Sequence, residues 1–134
     1  MSSPTNLSQE GVDALRHLRG RREVNTVILR HRDTPQALAV ELEGNLTHDE
    51  LLQALPSDEA RLVVHELSFA TREGMRRHET LLILWVPVGA AGREEESYTV
   101  GYTALKELLG DVHVHLTARR PDQLDYRRLV ALAG

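Results

Sequence analysis

Residues Arg61 to Leu109 read RLVVHELSFATREGMRRHETLLILWVPVGAAGREEESYTVGYTALKELL, and the order of elements in this stretch decides the fold. Leu62, Val64 and Glu66 alternate with Val63, His65 and Leu67, the period of two expected of a strand. Leu81 to Val86 is a nearly continuous apolar run, which suits a strand covered on both faces. A short charged turn holding Glu73 and Gly74 joins the two, so they form a hairpin. Pro87 closes the second strand because a proline cannot donate to a ladder. Glu94 to Glu96 then sit where a helix macrodipole favours acids, and Tyr98, Tyr102, Leu105 and Leu109 recur at helical spacing behind them.

Working outward, residues 1–7 are polar and read as a loose tail ahead of a single domain over residues 8–134. Ser8 can cap a helix running to about Arg19, with Val12, Leu15 and Leu18 as its buried stripe and Gly20 ending it. Val24 to Arg30 and Ala37 to Leu42 read as a strand pair joined across Asp33-Thr34-Pro35. Thr47 followed by Glu50 is a capping-box pattern, opening a short helix that Pro56 terminates. Gly110-Asp111 stops the long helix. Val112, Val114 and Leu116 then alternate with His113 and His115 as a half-buried strand, and Pro121 starts a terminal helix through Leu132. The sum is an α/β (α+β) domain, a mixed sheet covered by helices.

At 134 residues the chain is long enough for one core. Without cysteine it can form neither a disulfide framework nor a thiolate zinc site. The balance of 16 basic against 20 acidic residues argues against a general nucleic-acid binder. The N-terminus lacks a basic region followed by an apolar stretch, and no apolar run approaches the ~18 residues that span a bilayer, so a soluble cytosolic protein without membrane contact is expected. Arginines crowd at Arg16 to Arg22, Arg72 to Arg77 and Arg119 to Arg128, and acids at Glu41 to Glu50 and Glu94 to Glu96. Local patches of both signs point to a protein partner.

The strand, turn, strand and helix order of Arg61 to Leu109 resembles the actin-depolymerising-factor homology domain, with Tyr98 standing where that family keeps a tyrosine opening its long helix. Within that superfamily the chain resembles glia maturation factor. Four short matches carry this: Leu15-Arg16, Leu18-Arg19 and Arg21-Arg22-Glu23 with Asn25; Glu41-Leu42-Glu43-Gly44; Asp49-Glu50-Leu51 before Leu55-Pro56; and Pro87-Val88-Gly89. The resemblance implies a central, mostly antiparallel sheet of about five strands with one parallel pair, between two helix layers. It further implies a monomeric, non-enzymatic regulator of the cytoplasmic actin cytoskeleton. Such a protein binds an actin-related subunit of the Arp2/3 complex, inhibits branch nucleation and promotes debranching. A cofilin-like actin-depolymerising or actin-binding factor is the alternative.

Three groups of residues are candidates for partner binding. Arg16, Arg19, Arg21 and Arg22, followed by Glu23, exceed what a helix C-terminus needs to complement its dipole, and arginine suits bidentate recognition of carboxylates. The resemblance places this segment against the actin-related subunit, together with Arg93, Tyr102 and Lys106 of the long helix. The hairpin tip, with Arg72, Glu73, Met75, Arg76 and Arg77, is either a solvated turn or, by the resemblance, a second contact. Actin-binding relatives carry a basic-x-basic-Met run before the helix tyrosine and a lysine one turn after it. Here Arg93-Glu94-Glu95-Glu96 and Tyr102 take those places, and carboxylates facing an acidic actin surface oppose binding. His113-x-His115 would share a strand face, the basis of an alternative metal or enzyme reading, but no third ligand stands at a zinc spacing. No phosphate loop, nucleophile elbow or thiol nucleophile is present, so neither cofactor nor catalysis is expected.

Overall fold

The computed structural model describes residues 6–7, 9–20, 24–31, 37–90, 92–110 and 112–134. Its elements are β1 (Asn6–Leu7), α1 (Gln9–Gly20), β2 (Thr26–His31), β3 (Ala37–Gly44), α2 (His48–Ala54), β4 (Arg61–Ala70), β5 (Arg76–Trp85), α3 (Gly92–Leu109), β6 (Val114–Ala118) and α4 (Tyr126–Ala133). The sheet runs in the order β1-β3-β2-β4-β5-β6. β5 and β6 are parallel, and the pairs among β2, β3, β4 and β5 are antiparallel. These five longer strands make the mixed, mostly antiparallel sheet that the resemblance implied.

The β4–β5 hairpin is its centre, registered without interruption from Arg61 opposite Trp85 to Ala70 opposite Arg76. Period two sorts its side chains cleanly. Leu62, Val64, Leu82 and Leu84 join α1 and α3 residues Leu15, Leu18, Tyr98 and Leu105 in one core layer. Val63, Leu67, Leu81, Ile83 and Trp85 face the other way, against Leu51 of α2 and Leu129 and Ala133 of α4. Burying both faces is what the unbroken apolar run of β5 requires.

Local signals fix the helix ends. Thr47 accepts from the Glu50 backbone N–H at 3.1 Å and the Glu50 carboxylate accepts from the Thr47 N–H at 2.8 Å, a complete capping box. Gly110 ends α3 with φ of 70°, a left-handed position that glycine occupies without Cβ strain. α3 lies close on the sheet at Gly101, where a Cβ would stand 3.0 Å from Leu62 Cδ1 and 3.3 Å from Leu38 Cδ1.

Three expectations change. Asn6 and Leu7, read as part of a tail, pair in parallel with Ala37 and Leu38 at the sheet edge; residues 1–5, the Ser8 cap and the Asp33-Thr34-Pro35 turn lie outside the described residues. The terminal helix does not begin at Pro121. Pro121–Leu124 is one 3-10 turn, Asp125 breaks it with ψ of 140°, and α4 starts at Tyr126. The last strand begins at Val114, not Val112, because Val112 packs with the α1/α3 layer.

Two buried polar groups are internally matched. Arg61 is 5 % exposed, and its guanidinium donates twice to Glu41 at 3.0 Å, once to Glu59 at 3.1 Å and once to the Ala60 carbonyl at 2.7 Å. His65, on the α2/α4 side of β4, is 4 % exposed, with Nδ1 2.9 Å from the Thr26 hydroxyl.

Candidate protein-docking surface

α3 lays Tyr98, Leu105 and Leu109 into the core and turns Glu96, Thr99, Val100, Thr103, Lys106, Glu107 and Leu108 to solvent. The Tyr98 hydroxyl accepts from the His31 backbone N–H at 2.8 Å, pinning the helix's first turns over the end of β2. Tyr98 is therefore a core residue, as its position in the stripe suggests. Tyr102 is half-buried at the rim; partial burial raises its phenol pKa, and the Lys106 ammonium stands 5.9 Å from its ring centre. For Arg93 the backbone alone is described, at the start of α3. On the outer face, Val100 and Leu108 are 45 % and 62 % exposed, with half-buried Ala104 between them at the same four-residue spacing.

One contact in this region was not read from the sequence. The Arg119 guanidinium, just past β6, donates to both oxygens of Glu95, at 3.0 and 2.8 Å. The bidentate pair lowers the Glu95 pKa and raises that of Arg119. Glu95 and Arg119 are 24 positions apart, and Arg119 stood out only as one member of a basic run. The parallel β5–β6 register, which sets Ala118 beside Trp85, delivers Arg119 to the end of the sheet where α3 begins. One of the three carboxylates read as a repulsive patch is thus neutralised within the protein.

The first-helix arginines stand elsewhere. Arg16 is exposed on α1, Arg19 is described by its backbone alone, and Arg21, Arg22 and Glu23 lie outside the described residues. His17 Nδ1 meets Glu43 at 2.6 Å, holding the second half of α1 over the Gly44 end of β3. Gly44 pairs with Thr26, at the opposite end of β2 from His31, where Tyr98 anchors α3. Arg16 and the Glu95–Arg119 pair therefore share a face of the sheet but not an end.

The hairpin tip is a third location. Thr71 to Met75 turn the chain, with the Thr71 N–H donating to the Met75 carbonyl at 2.8 Å and Gly74 at φ of 83°. Met75 is 68 % exposed, and Arg72, Glu73 and Arg76 are exposed around it. Arg77 differs: its guanidinium lies 5.6 Å above the Phe69 ring centre and pairs with Glu79 at 2.8 Å, so it braces the hairpin. The tip is carried beyond Ala70, whereas α3 starts past Trp85, at the other end of the same ladder.

Of the two strand histidines, His113 is a structural contact and His115 is not. His113 meets the Ala133 carbonyl at 2.8 Å and Glu79 at 3.2 Å, tying α4 to β5, while His115 is exposed, its pKa lowered by partial desolvation and by Lys106. Among the described residues, no group of three or more His, Cys, Asp and Glu side chains could hold a metal ion, and no helix is long and apolar enough to cross a membrane.

Several of the motif residues behind the narrower resemblance hold the fold together. Glu41 pairs with Arg61 and Glu43 with His17. The Pro56 carbonyl accepts from Trp85 Nε1 at 2.8 Å. A Cβ on Gly89 would stand 3.2 Å from the Ser57 carbonyl oxygen. Residues needed by the scaffold serve any relative with the same scaffold.

Comparison with known proteins agrees with that scaffold. The family model described as cofilin/tropomyosin-type actin-binding protein matches residues 4–132. The chain is 30 % identical to actophorin of Entamoeba histolytica over 89 residues, 66 % of this chain and 64 % of that protein, so the match spans just under two thirds of that relative. It is 26 % identical to actin-depolymerizing factor 10 of Oryza sativa over 119 residues, 87 % of this chain and 79 % of the relative. The crystal structure of Streptomyces griseoflavus cofilin superposes with a TM-score of 0.87 at 20 % identity, covering 97 % of each chain. These relatives are named as actin-depolymerising and cofilin-type proteins, and the family's members are non-enzymatic. With a family match over nearly its whole length and the sheet, helix layers and core tyrosine in place, the chain belongs to the cofilin/tropomyosin-type actin-binding protein family.

Proposed function

We infer that this protein binds actin in the cytoplasm as a cofilin-like factor, docking the outer face of α3 into an apolar groove and using the hairpin tip as a second contact on filaments. The observation that carries this is the exposed line of Val100, Ala104 and Leu108 on a helix whose inner face is core. Scattered exposed apolar residues need no explanation, but a row at i, i+4 and i+8 is the anchor pattern of a helix seated in a groove. The family description and the relatives' names support the choice of partner. Exposed Met75 among Arg72 and Arg76 supports the second contact. Replacing Val100 and Leu108 together by glutamate is expected to weaken co-sedimentation with filamentous actin by at least about tenfold, because two apolar side chains stay in water. Thermal stability should scarcely change, since both are exposed; undiminished co-sedimentation would place the contact elsewhere.

A second reading has its own observation. Glu95 and Glu96 stand where actin-binding relatives carry a basic residue and a methionine, a change that favours a different surface. That surface would be an actin-related subunit of the Arp2/3 complex, as in glia maturation factor, where preference for one conformation of the complex would inhibit branching and promote debranching. Pull-down of Arp2/3 beside filament co-sedimentation separates the two. Capture of Arp2/3 with no filament binding would select the second, and charge reversal at Arg16 and Arg19 should then reduce capture.

A further inference from the structure

Beside the Glu95–Arg119 pair lies a cavity of about 240 Å³, lined by Leu52, Leu55, Trp85, Pro87, Val88 and Pro121, with Arg119 the one charged residue in its wall among the described residues. Its floor is rigid. Trp85 is 2 % exposed and tied to the Pro56 carbonyl, and the close approach of Gly89 to Ser57 holds the 87–89 loop against the end of α2. Its rim is open, with Val88 82 % exposed. The apolar walls ask for an apolar side chain, and the guanidinium asks for a carboxylate next to it. Arg119 already holds a carboxylate through two parallel hydrogen bonds, so its fork is in the geometry that such a group requires.

We propose that this cavity receives an apolar side chain of a protein partner, that Arg119 receives the carboxylate beside it, and that Glu95 is an internal competitor which the partner's carboxylate displaces. Charge complementarity selects this occupant. A purely apolar segment would leave Arg119 with Glu95 and gain nothing from the guanidinium, and a basic one would meet it with like charge. Glu95 also acts on specificity. A partner without an acid at this place cannot compensate for disturbing the pair, whereas one with it exchanges one carboxylate for another at little net cost. Because both partners of the pair are exposed, the competition is weak enough to be overcome: Glu95 is 40 % and Arg119 47 % exposed. The partner in this role is the actin surface of the preceding section, so the inference rests on that reading for its partner but not for its chemistry.

Trp85 is the only tryptophan and lines the cavity, so its fluorescence reports occupancy directly. The probe is N-acetyl-leucine, one isobutyl group and one carboxylate, titrated against the full chain, with N-acetyl-leucinamide as the uncharged control. The response should saturate, and Glu95→Gln should tighten it about two- to fivefold, the range that release of an exposed ion pair supplies. Arg119→Gln should weaken it by about tenfold or more, and the amide should behave with wild type as the acid does with Arg119→Gln. Filament co-sedimentation of the same variants should move in the same order. If no variant binds filaments while the N-acetyl-leucine titrations order as stated, the actin reading fails and the pocket stands. If filaments bind but Glu95→Gln tightens neither measurement, or Arg119→Gln leaves the titration unchanged, the pocket inference is overturned and the actin reading stands.

Discussion

Glu41→Ala is expected to destabilise the protein by about 3 kcal/mol, read as a fall in melting temperature of roughly 10 °C for a domain of this size. Arg61 is the reason. Its guanidinium is almost wholly buried at the start of the central hairpin, and Glu41 supplies two of its four hydrogen bonds. Burial alone would lower the Arg61 pKa, but the carboxylates of Glu41 and then Glu59 outweigh it and hold it above its usual value. Removing Glu41 leaves a charge in a dry site with only Glu59 and a carbonyl to answer it, and desolvation is then uncompensated. Arg61→Met, which removes the charge and keeps the stem's volume, should cost much less and should rescue most of the loss when combined with Glu41→Ala. Chemical denaturation of the two single variants and the double variant measures this coupling; additive losses would show that the pair is not a unit.

Acidification is expected to remove about 3 kcal/mol of stability through His65 alone between pH 6.5 and pH 4. Burial first, and then the neighbouring His48, lower its pKa from 6.5 to about 4, while a hydrogen bond to the Asn25 backbone carbonyl acts the other way. Between those values the unfolded chain binds a proton that the folded chain refuses, so stability rises with pH across the window. The contribution is complete above pH 6.5, falls steadily below it, and is fully lost once pH drops past the folded value near 4. Thr26, which shares a hydrogen bond with Nδ1, and Tyr126, whose ring meets His48 edge-on at 5.7 Å, are uncharged and offer the imidazolium no counter-ion. His65→Gln keeps a polar group for Thr26 but does not titrate. Its stability should therefore depend less steeply on pH than that of the wild type from pH 6.5 to 4, and identical slopes would exclude His65 as the source.

These two residues also show where reading the chain stops. Arg61 and His65 lie in the stretch that identifies the fold, and period two assigns their faces correctly. Nothing in that period says that Glu41, twenty positions away, closes on Arg61, or that Thr26 meets His65 across the β2–β4 ladder. The start of α2 and the end of α3 were legible because a capping box and a positive-φ glycine are satisfied within a few residues. The terminal helix was misplaced for the same reason turned around. Pro121 is a good helix opener locally, yet the chain spends it on one 3-10 turn before α4 packs on the sheet.

The candidate surface divides along the same line. Met75 at a glycine turn, and an α3 stripe with an apolar inner side, follow from local pattern. The acidic run before Tyr98 was visible too, but its meaning was not. Read alone it is a patch of repulsion; in the fold, one of its members is held by Arg119 beside an apolar cavity.

By itself, then, the sequence determined the superfamily though not the member within it, the two-faced core and most of the helix ends, because hydrophobic periodicity and capping are short-range effects that each segment carries within itself. Tertiary structure alone decided which charges are paired, which histidine is dry, and that Glu95 and Arg119 meet while Arg16 stands at the other end of the sheet. Those outcomes depend on strand register and crossover, which bring together residues that no local rule connects.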